Sequence, residues 1–123
     1  MALIATGSMV TTALELVKQG LAAEVWSAPS LKPLDAGALG DICRRVDCIV
    51  TLEEHSVMGG LGACVAEQAA SMHPIPVYRI GIEDRFSSHC GTYDYLLTEH
   101  RLDLPSVNQK IESFLSGLTH RQT

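Results

Sequence analysis

The residues best suited to chemistry are concentrated in one segment, Glu53–Gly62, which reads EEHSVMGGLG. Its acidic, imidazole and glycine positions are the candidate site residues Glu53, Glu54, His55, Gly59, Gly60 and Gly62. Carboxylates and imidazoles can act as general acids and bases. Glycines let the backbone approach a neighbouring group closely, and free N–H groups at a helix start favour an anion. The segment could therefore form a small catalytic or anion-binding cleft.

The same segment also has a structural interpretation. Its G-G-x-G turn lacks the G-x-G-x-x-G spacing of a dinucleotide site, and no Lys-Ser/Thr pair follows to make a phosphate loop. Glu53 and Glu54 would repel a phosphate, whereas glycines before a helix commonly serve a tight turn or close packing. We therefore expect a structural or subunit-contact role here, with no catalytic residue and no metal ligand.

A second polar cluster, Gly81–Phe86, follows the last predicted strand. Asp84 and Arg85 could hold a substrate, or could form a surface ion pair that contributes little. His89 and Cys90 come shortly afterwards, but adjacent positions do not by themselves make a nucleophile pair, and no third orienting group is evident. A Cys-His hydrolase or redox protein that uses Cys90 is therefore a minor alternative.

Apolar periodicity predicts the alternating strands and helices that position these clusters. The predicted strands span 3–6, 23–26, 48–52 and 76–80. Gly20 is predicted to end the first helix and Asp35 to cap the second. The helices carry apolar residues at helical spacing, and the predicted inward-facing residues are Val10, Ala13, Leu14 and Val17, then Leu39, Ile42, Cys43 and Val46, then Leu61, Cys64, Val65, Ala69 and Met72, and finally Val107, Ile111, Phe114, Leu115 and Leu118.

Strands separated by helix-length segments predict an α/β sandwich of three layers with a mostly parallel sheet. We expect one domain over residues 1–118 and a frayed tail over 119–123. Open α/β sheets bind ligands beyond the carboxyl ends of their strands. This rule places Glu53–Gly62 where a ligand or a partner would meet the sheet.

Composition excludes several classes of protein. The 123 residues carry a net charge of −5 and build no basic face of the kind that nucleic acid needs. No apolar run approaches the roughly 20 residues that cross a bilayer, and the N-terminus lacks a basic leader. The four cysteines have no C-x-x-C spacing and are interpreted mainly as small buried hydrophobes, which suits a reducing cytoplasm. We expect a cytoplasmic protein that binds neither nucleic acid nor membrane.

Four motifs in order along the chain resemble the C-terminal domain of transketolases. They are Ile4–Ser8 (IATGS), Ser30–Asp35 (SLKPLD), Val50–Gly62 (VTLEEHS, then GGLG at its end) and Gly81–Phe86 (GIEDRF). Deoxyxylulose-phosphate synthases and the thiamine-binding components of 2-oxo acid dehydrogenases share this domain more distantly. The resemblance extends to about Leu115, and the order of the four motifs makes it specific.

The resemblance implies a five-stranded mixed sheet, mainly parallel, with helices on both faces. It also implies that thiamine diphosphate and Mg²⁺ are held by an N-terminal and a middle domain that this chain lacks. On this basis the chain itself binds no cofactor and is inactive alone. Its expected partners are those two domains, fused or in a separate subunit, and a second copy in a homodimer. Because the chain begins at its first strand, an excised domain is expected over a natural small subunit.

The sequence departs from the family pattern at several points. The segment Gly7–Gly20 leaves room for only a short first helix, and Arg101 stands where a helix-ending glycine is expected. The loop 86–91, which contains His89 and Cys90, is about one residue longer than is usual. A second function class also stays open, namely a stand-alone module that binds a small anion or nucleotide above Glu53–Gly62.

Overall fold

A computed structural model describes residues 1–28, 35–56, 60–82 and 97–121. The chain forms two compact units, Met1–Asp84 and Arg85–Thr123. In these residues no helix is both long enough and apolar enough to cross a membrane.

The sheet lies in the first unit and consists of β1 (Ala2–Ala5), β2 (Glu24–Ser27), β3 (Ile49–Ser56) and β4 (Val77–Ile82). Its order is β2-β1-β3-β4, and all three neighbouring pairs are parallel. The prediction of a mostly parallel α/β sheet is confirmed. The predicted count of five strands in a mixed sheet is wrong for the part of the chain described, where the sheet has four strands and each pair of neighbours is parallel.

Helices connect the strands. α1 (Met9–Lys18) packs on β1, β2 and β3, whereas α2 (Ala36–Arg45) and α3 (Leu61–Met72) contact each other, with α3 also against β3 and β4. Right-handed crossovers explain this division: the chain moves outward from β1 to β2 and then back across β1 to β3, so α1 lies on one face and the other two on the opposite face. The layers are therefore helix, sheet and helix.

Alternation along the strands separates the core between the two faces. Ala2, Ile4 and Ile49 pack with residues of α2 and α3 in one buried cluster. The residues that alternate with them, Leu3 and Val50, are fully buried as well. A central strand of a parallel sheet is covered on both faces, which explains why its residues form continuous apolar runs.

The predicted inner face of α1 is partly wrong. Met9, Ala13 and Leu16 are buried, whereas the side chain of Leu14 is 55% exposed. The helix carries two apolar stripes at helical spacing, and periodicity alone cannot decide which of them meets the sheet. The first predicted core residue of α3, Leu61, is fully buried as predicted, unlike Leu14 of α1.

For α2 and α3 the predicted inward-facing residues in the middle of each helix are buried in the structure. Leu39, Ile42 and Cys43 are buried in α2, as are Val65 and Ala69 in α3, although Met72 at the end of α3 is 40% exposed. In the second unit α4 (Leu104–Arg121) buries Val107 and Ile111, and the remaining predicted residues of its face are half-buried. The proposed boundary at residue 118 stays a prediction.

The cysteines that the structure describes are free thiols. Cys43 and Cys48 are buried, and burial raises the pKa of both thiols, although nearby positive charge opposes this. Cys64 is half-buried. A raised pKa disfavours the reactive thiolate, so Cys43 and Cys48 behave as small hydrophobic residues, as the sequence predicts.

Helix ends follow the predicted signals. The side chain of Asp35 caps α2 by accepting a hydrogen bond from Ala38 N at 3.0 Å. Gly20 ends α1 with a φ of 114°, where Leu21 N donates to Leu16 O at 3.1 Å and Gly20 N donates to Val17 O at 3.0 Å. This pair of bonds is the Schellman motif, which needs a left-handed residue after the helix.

Arg101 builds the same motif without glycine. Its φ is 58°, Leu102 N donates to Leu97 O at 2.7 Å, and Arg101 N donates to Thr98 O at 3.0 Å. The left-handed conformation costs a residue with a Cβ about 1–2 kcal/mol. The departure from the family pattern is thus accommodated by backbone strain.

Replacing Arg101 with glycine should relieve this strain. We expect Arg101→Gly to raise the free energy of unfolding by about 1 kcal/mol, measured by urea denaturation. Arg101→Ala is the matched control, because it removes the same side chain and retains the Cβ. Equal stabilisation by both variants would show that the arginine side chain, and not its φ, is responsible.

The edge strand β2 is tied to α2 by a small polar cluster. Oε1 of Glu24 accepts hydrogen bonds from Nε1 of Trp26 at 3.1 Å and from Nη2 of Arg45 at 2.6 Å. Partial burial raises the pKa of Glu24, but these two donors and the Arg45 charge outweigh it, and the net pKa lies below its ordinary 4.5. Both side chains of the ion pair are substantially exposed, so it contributes little to stability.

The chain's single tryptophan reports on this cluster. A carboxylate whose pKa is lowered on folding stabilises above its ordinary pKa, and the contribution disappears as pH falls through the lowered value. We therefore expect the fluorescence of Trp26 to change in a titration below pH 4.5. Glu24→Gln should abolish this step, and a step that survives the substitution would contradict the assignment.

Candidate functional site

Glu53 is the centre of the candidate site, and it is fully buried. Its two carboxylate oxygens accept hydrogen bonds from successive amides at the start of α3, Leu61 N to Oε1 at 2.9 Å and Gly62 N to Oε2 at 2.7 Å. These amides have no partner within their own helix, and the positive end of the helix dipole favours the negative charge. Glu53 therefore anchors α3 to β3.

The sequence folds this way because of strand alternation and the missing local cap. Ile49, Thr51 and Glu53 share the face of β3 that lies beneath α3, since side chains repeat every second residue. The residue at the N-cap of α3 is Gly60, which has no side chain to accept from the first amides. The carboxylate from the strand takes the place of a local cap.

Gly62 brings the helix unusually close to the sheet. A Cβ built on it would lie 2.7 Å from Oγ1 of Thr51 and 2.7 Å from Cγ of Arg79 on β4. Real Cβ atoms do not approach other atoms so closely, hence any residue other than glycine requires α3 or the side chains of Thr51 and Arg79 to shift. Thr51 is fully buried, and its Oγ1 has no hydrogen-bond partner among the described residues.

The strand itself projects beyond its neighbour. β3 has eight residues and β1 has four, and their pairing ends at Ala5 and Leu52. Past that point β3 continues beside β4, with a register irregularity between Leu52 and Ser56. We call Glu53–Ser56 together with Gly60–Gly62 the β3 rim. It lies at the carboxyl end of the sheet, where such folds meet ligands and partners.

The structure brings three of the predicted site residues together: Glu53, Gly60 and Gly62. Glu54 is half-buried. The His55 side chain and the residues Gly59, Asp84, Arg85, His89 and Cys90 lie outside the description, as does the motif Ser30–Leu34. Sequence reasoning missed Thr51 and Arg79, although the position of Thr51 two residues before Glu53 on one strand was a usable signal.

Glu53 itself is unsuited to acid–base catalysis. The carboxylate of Glu53 is inaccessible, and both oxygens are engaged by backbone donors. The same donors are the ones that an external anion would need at this helix start. In the described residues there is no group of three or more His, Cys, Asp or Glu side chains that could hold a metal ion.

An open groove of about 470 Å³ lies elsewhere on α3 and is lined by none of the predicted site residues. Its lining residues are Ala36, Cys64, Glu67, Gln68, Ser71 and Met72. Ser71 donates to Glu67 O at 3.1 Å within the helix. Glu67 and Ser71 are exposed, so the groove presents a solvated helix face and no convergent set of catalytic groups.

Fold and site together define a parallel α/β domain whose most polar cluster anchors a helix. The family model of the transketolase C-terminal domain matches residues 1–107. The chain belongs to this family, and the resemblance inferred from the four motifs is confirmed.

Individual relatives agree with this assignment. A 1-deoxy-D-xylulose-5-phosphate synthase of Chlorobium phaeovibrioides is 36% identical over 120 residues, which cover 94% of this chain and 19% of the relative. A 6-deoxy-6-sulfo-D-fructose transketolase subunit of Clostridium sp. is 40% identical over 98 residues, covering 76% and 30% respectively. The chain thus spans about a fifth to a third of these relatives.

Among solved structures, a split-gene transketolase described as an inactive beta4 tetramer superimposes with a TM-score of 0.83. It is 38% identical, and the match covers 94% of this chain and 39% of that one. The fold described above is therefore the family fold.

The tight contact at Gly62 generates a stability prediction. Gly62→Ala should lower the free energy of unfolding by roughly 2–3 kcal/mol, because the new methyl group forces α3 away from Thr51 and Arg79. Urea denaturation measures the change.

Gly117→Ala in α4 is the control, since a Cβ there meets nothing within 4 Å. Alanine is the better helix former, so this variant should be stabilised by up to about 1 kcal/mol. A Gly62→Ala protein as stable as the unaltered chain would contradict the close packing.

Proposed function

We propose that this chain is a non-catalytic C-terminal domain, or small subunit, of a cytoplasmic thiamine diphosphate-dependent transketolase-like enzyme that transfers ketol groups. It contributes to domain packing and to dimerisation. The observation that carries the proposal is the state of Glu53. The most chemically capable residue of the candidate site is buried and engaged in anchoring α3.

The share of the relatives that the chain covers supports an accessory role. It corresponds to 19% of a synthase and 30% of a transketolase subunit. If the catalytic site of such an enzyme needs its other domains, this chain alone does not hold the complete site. The chain then acts by docking on those domains. The transketolase subunit and the split-gene transketolase are examples in which such proteins consist of separate chains.

The start of α3 does not suit thiamine diphosphate. A diphosphate needs free backbone donors or cations, and the two donors at the start of α3 are taken by Glu53. Its Mg²⁺ needs oxygen ligands grouped in space, and the described residues contain no group of three or more His, Cys, Asp or Glu side chains that could hold a metal ion. These observations favour cofactor binding in the other domains of the enzyme.

The carboxyl end of the sheet is the surface we assign to contacts with the rest of the enzyme, including a second copy. The proposed contact residues are Glu54 and His55 of the β3 rim, together with Gly59, Asp84 and Arg85, which follow β3 and β4 in the sequence. The alternative of a stand-alone anion or nucleotide module is disfavoured, because its best donors already bind an internal carboxylate.

Calorimetry tests the cofactor part of the proposal. Titration of thiamine diphosphate with Mg²⁺ into the isolated chain should give no binding heat, and a ketol-transfer assay should give no turnover. Micromolar, Mg²⁺-dependent binding would overturn the proposal. Thermal shift with phosphate and nucleotides serves as the control, because a stabilisation that saturates with ligand would favour the anion module.

A further inference from the structure

The β3 rim and the adjoining residue Thr51 combine features that lower stability. The carboxylate of Glu53 is buried and has lost its hydration. That loss is compensated only when nearby positive charge and hydrogen-bond donors are well placed around the carboxylate. The buried hydroxyl of Thr51 has no hydrogen-bond partner among the described residues, and Gly62 fits with no space for a methyl group. Buried polar groups without partners are uncommon in folded proteins and call for an explanation.

A less demanding solution exists within the same chain. α2 is capped by the exposed side chain of Asp35, which accepts from an amide three residues later. A Ser, Thr, Asp or Asn in place of Gly60 could cap α3 in the same way. α3 is held instead by a residue eight and nine positions earlier, on the neighbouring strand. Helix stability alone does not require this arrangement.

The arrangement does join two segments that a local cap leaves independent. Glu53 begins the part of β3 that projects past β1, and its carboxylate holds the first amides of α3. The projecting strand and the helix start therefore keep one relative position. Departures from locally favourable choices concentrate at functional sites, where geometry matters more than stability.

We infer that Glu53 is a positioning residue, which fixes the β3 rim in the shape that docks on the thiamine-binding domains of the enzyme. The inference rests on the proposed function and adds to it the surface and the residue responsible. Glu53 acts through the backbone of Leu61 and Gly62 and touches neither substrate nor cofactor.

Glu53→Gln tests the inference, because the amide retains the shape of the side chain and loses the charge. It also turns one acceptor into a donor that faces a backbone N–H. The variant is titrated into protein that carries the thiamine-binding domains, and ketol transfer is followed against chain concentration. We expect the half-saturating concentration to rise about tenfold or more while kcat at saturation is unchanged.

Glu67→Gln is the matched control, since it removes one charge from an exposed position on α3. It should titrate like the unaltered chain. Circular dichroism at the assay temperature establishes that each variant is folded. If Glu53→Gln does not fold, Gly60→Ser with Glu53→Gln restores a local cap and allows the same titration.

The outcomes separate the inference from the proposed function. If the unaltered chain produces no activity with the thiamine-binding domains, the proposed function fails. If it does, and a folded Glu53→Gln protein or its Gly60→Ser double variant reaches half-saturation at the same concentration, the positioning role is overturned. A higher half-saturating concentration for the folded double variant than for Gly60→Ser alone supports it, because helix stability has then been supplied independently and the added serine is present in both proteins.

Discussion

The contact between the carboxylate of Glu53 and the start of α3 is the interaction on which the carboxyl end of the sheet depends. A charge buried without exposure to water is tolerated because two backbone donors and the helix dipole meet it. The same pair of hydrogen bonds satisfies amides that α3 cannot satisfy itself. The Glu53 side chain therefore provides acceptors for the first amides of α3 and holds the start of α3 at a fixed position relative to the end of β3.

The neighbouring contacts follow from that attachment. Because Glu53 holds the start of α3 on the sheet, Gly62 lies directly over Thr51 and Arg79. Glycine leaves the room that this close approach requires. The apolar residues further along α3, such as Val65 and Ala69, then enter the cluster shared with α2. The polar anchor and the apolar core thus specify the same helix position.

The same attachment explains why Glu53 is poorly placed for catalysis or anion binding. General acid–base work needs an accessible group whose proton can be exchanged with a substrate. Anion binding needs donors that are not already engaged. Glu53 removes itself and its two amides from both roles.

The sequence by itself determined the alternation of strands and helices, because burial on one or both faces leaves a period that can be read from apolar residues. It also determined the ends of α1 and α2 through Gly20 and Asp35, whose conformational freedom and side-chain oxygen act locally. The motif order identified the family. The inner face of α1 was undecided, since the helix has two apolar stripes and Leu14 belongs to the one left exposed. Only the tertiary structure decided what Glu53 does, because its hydrogen-bond partners come from another element and depend on how α3 is placed over β3. The strained turn at Arg101 shows the same limit: the sequence marked the position, and the fold supplied the φ of 58°.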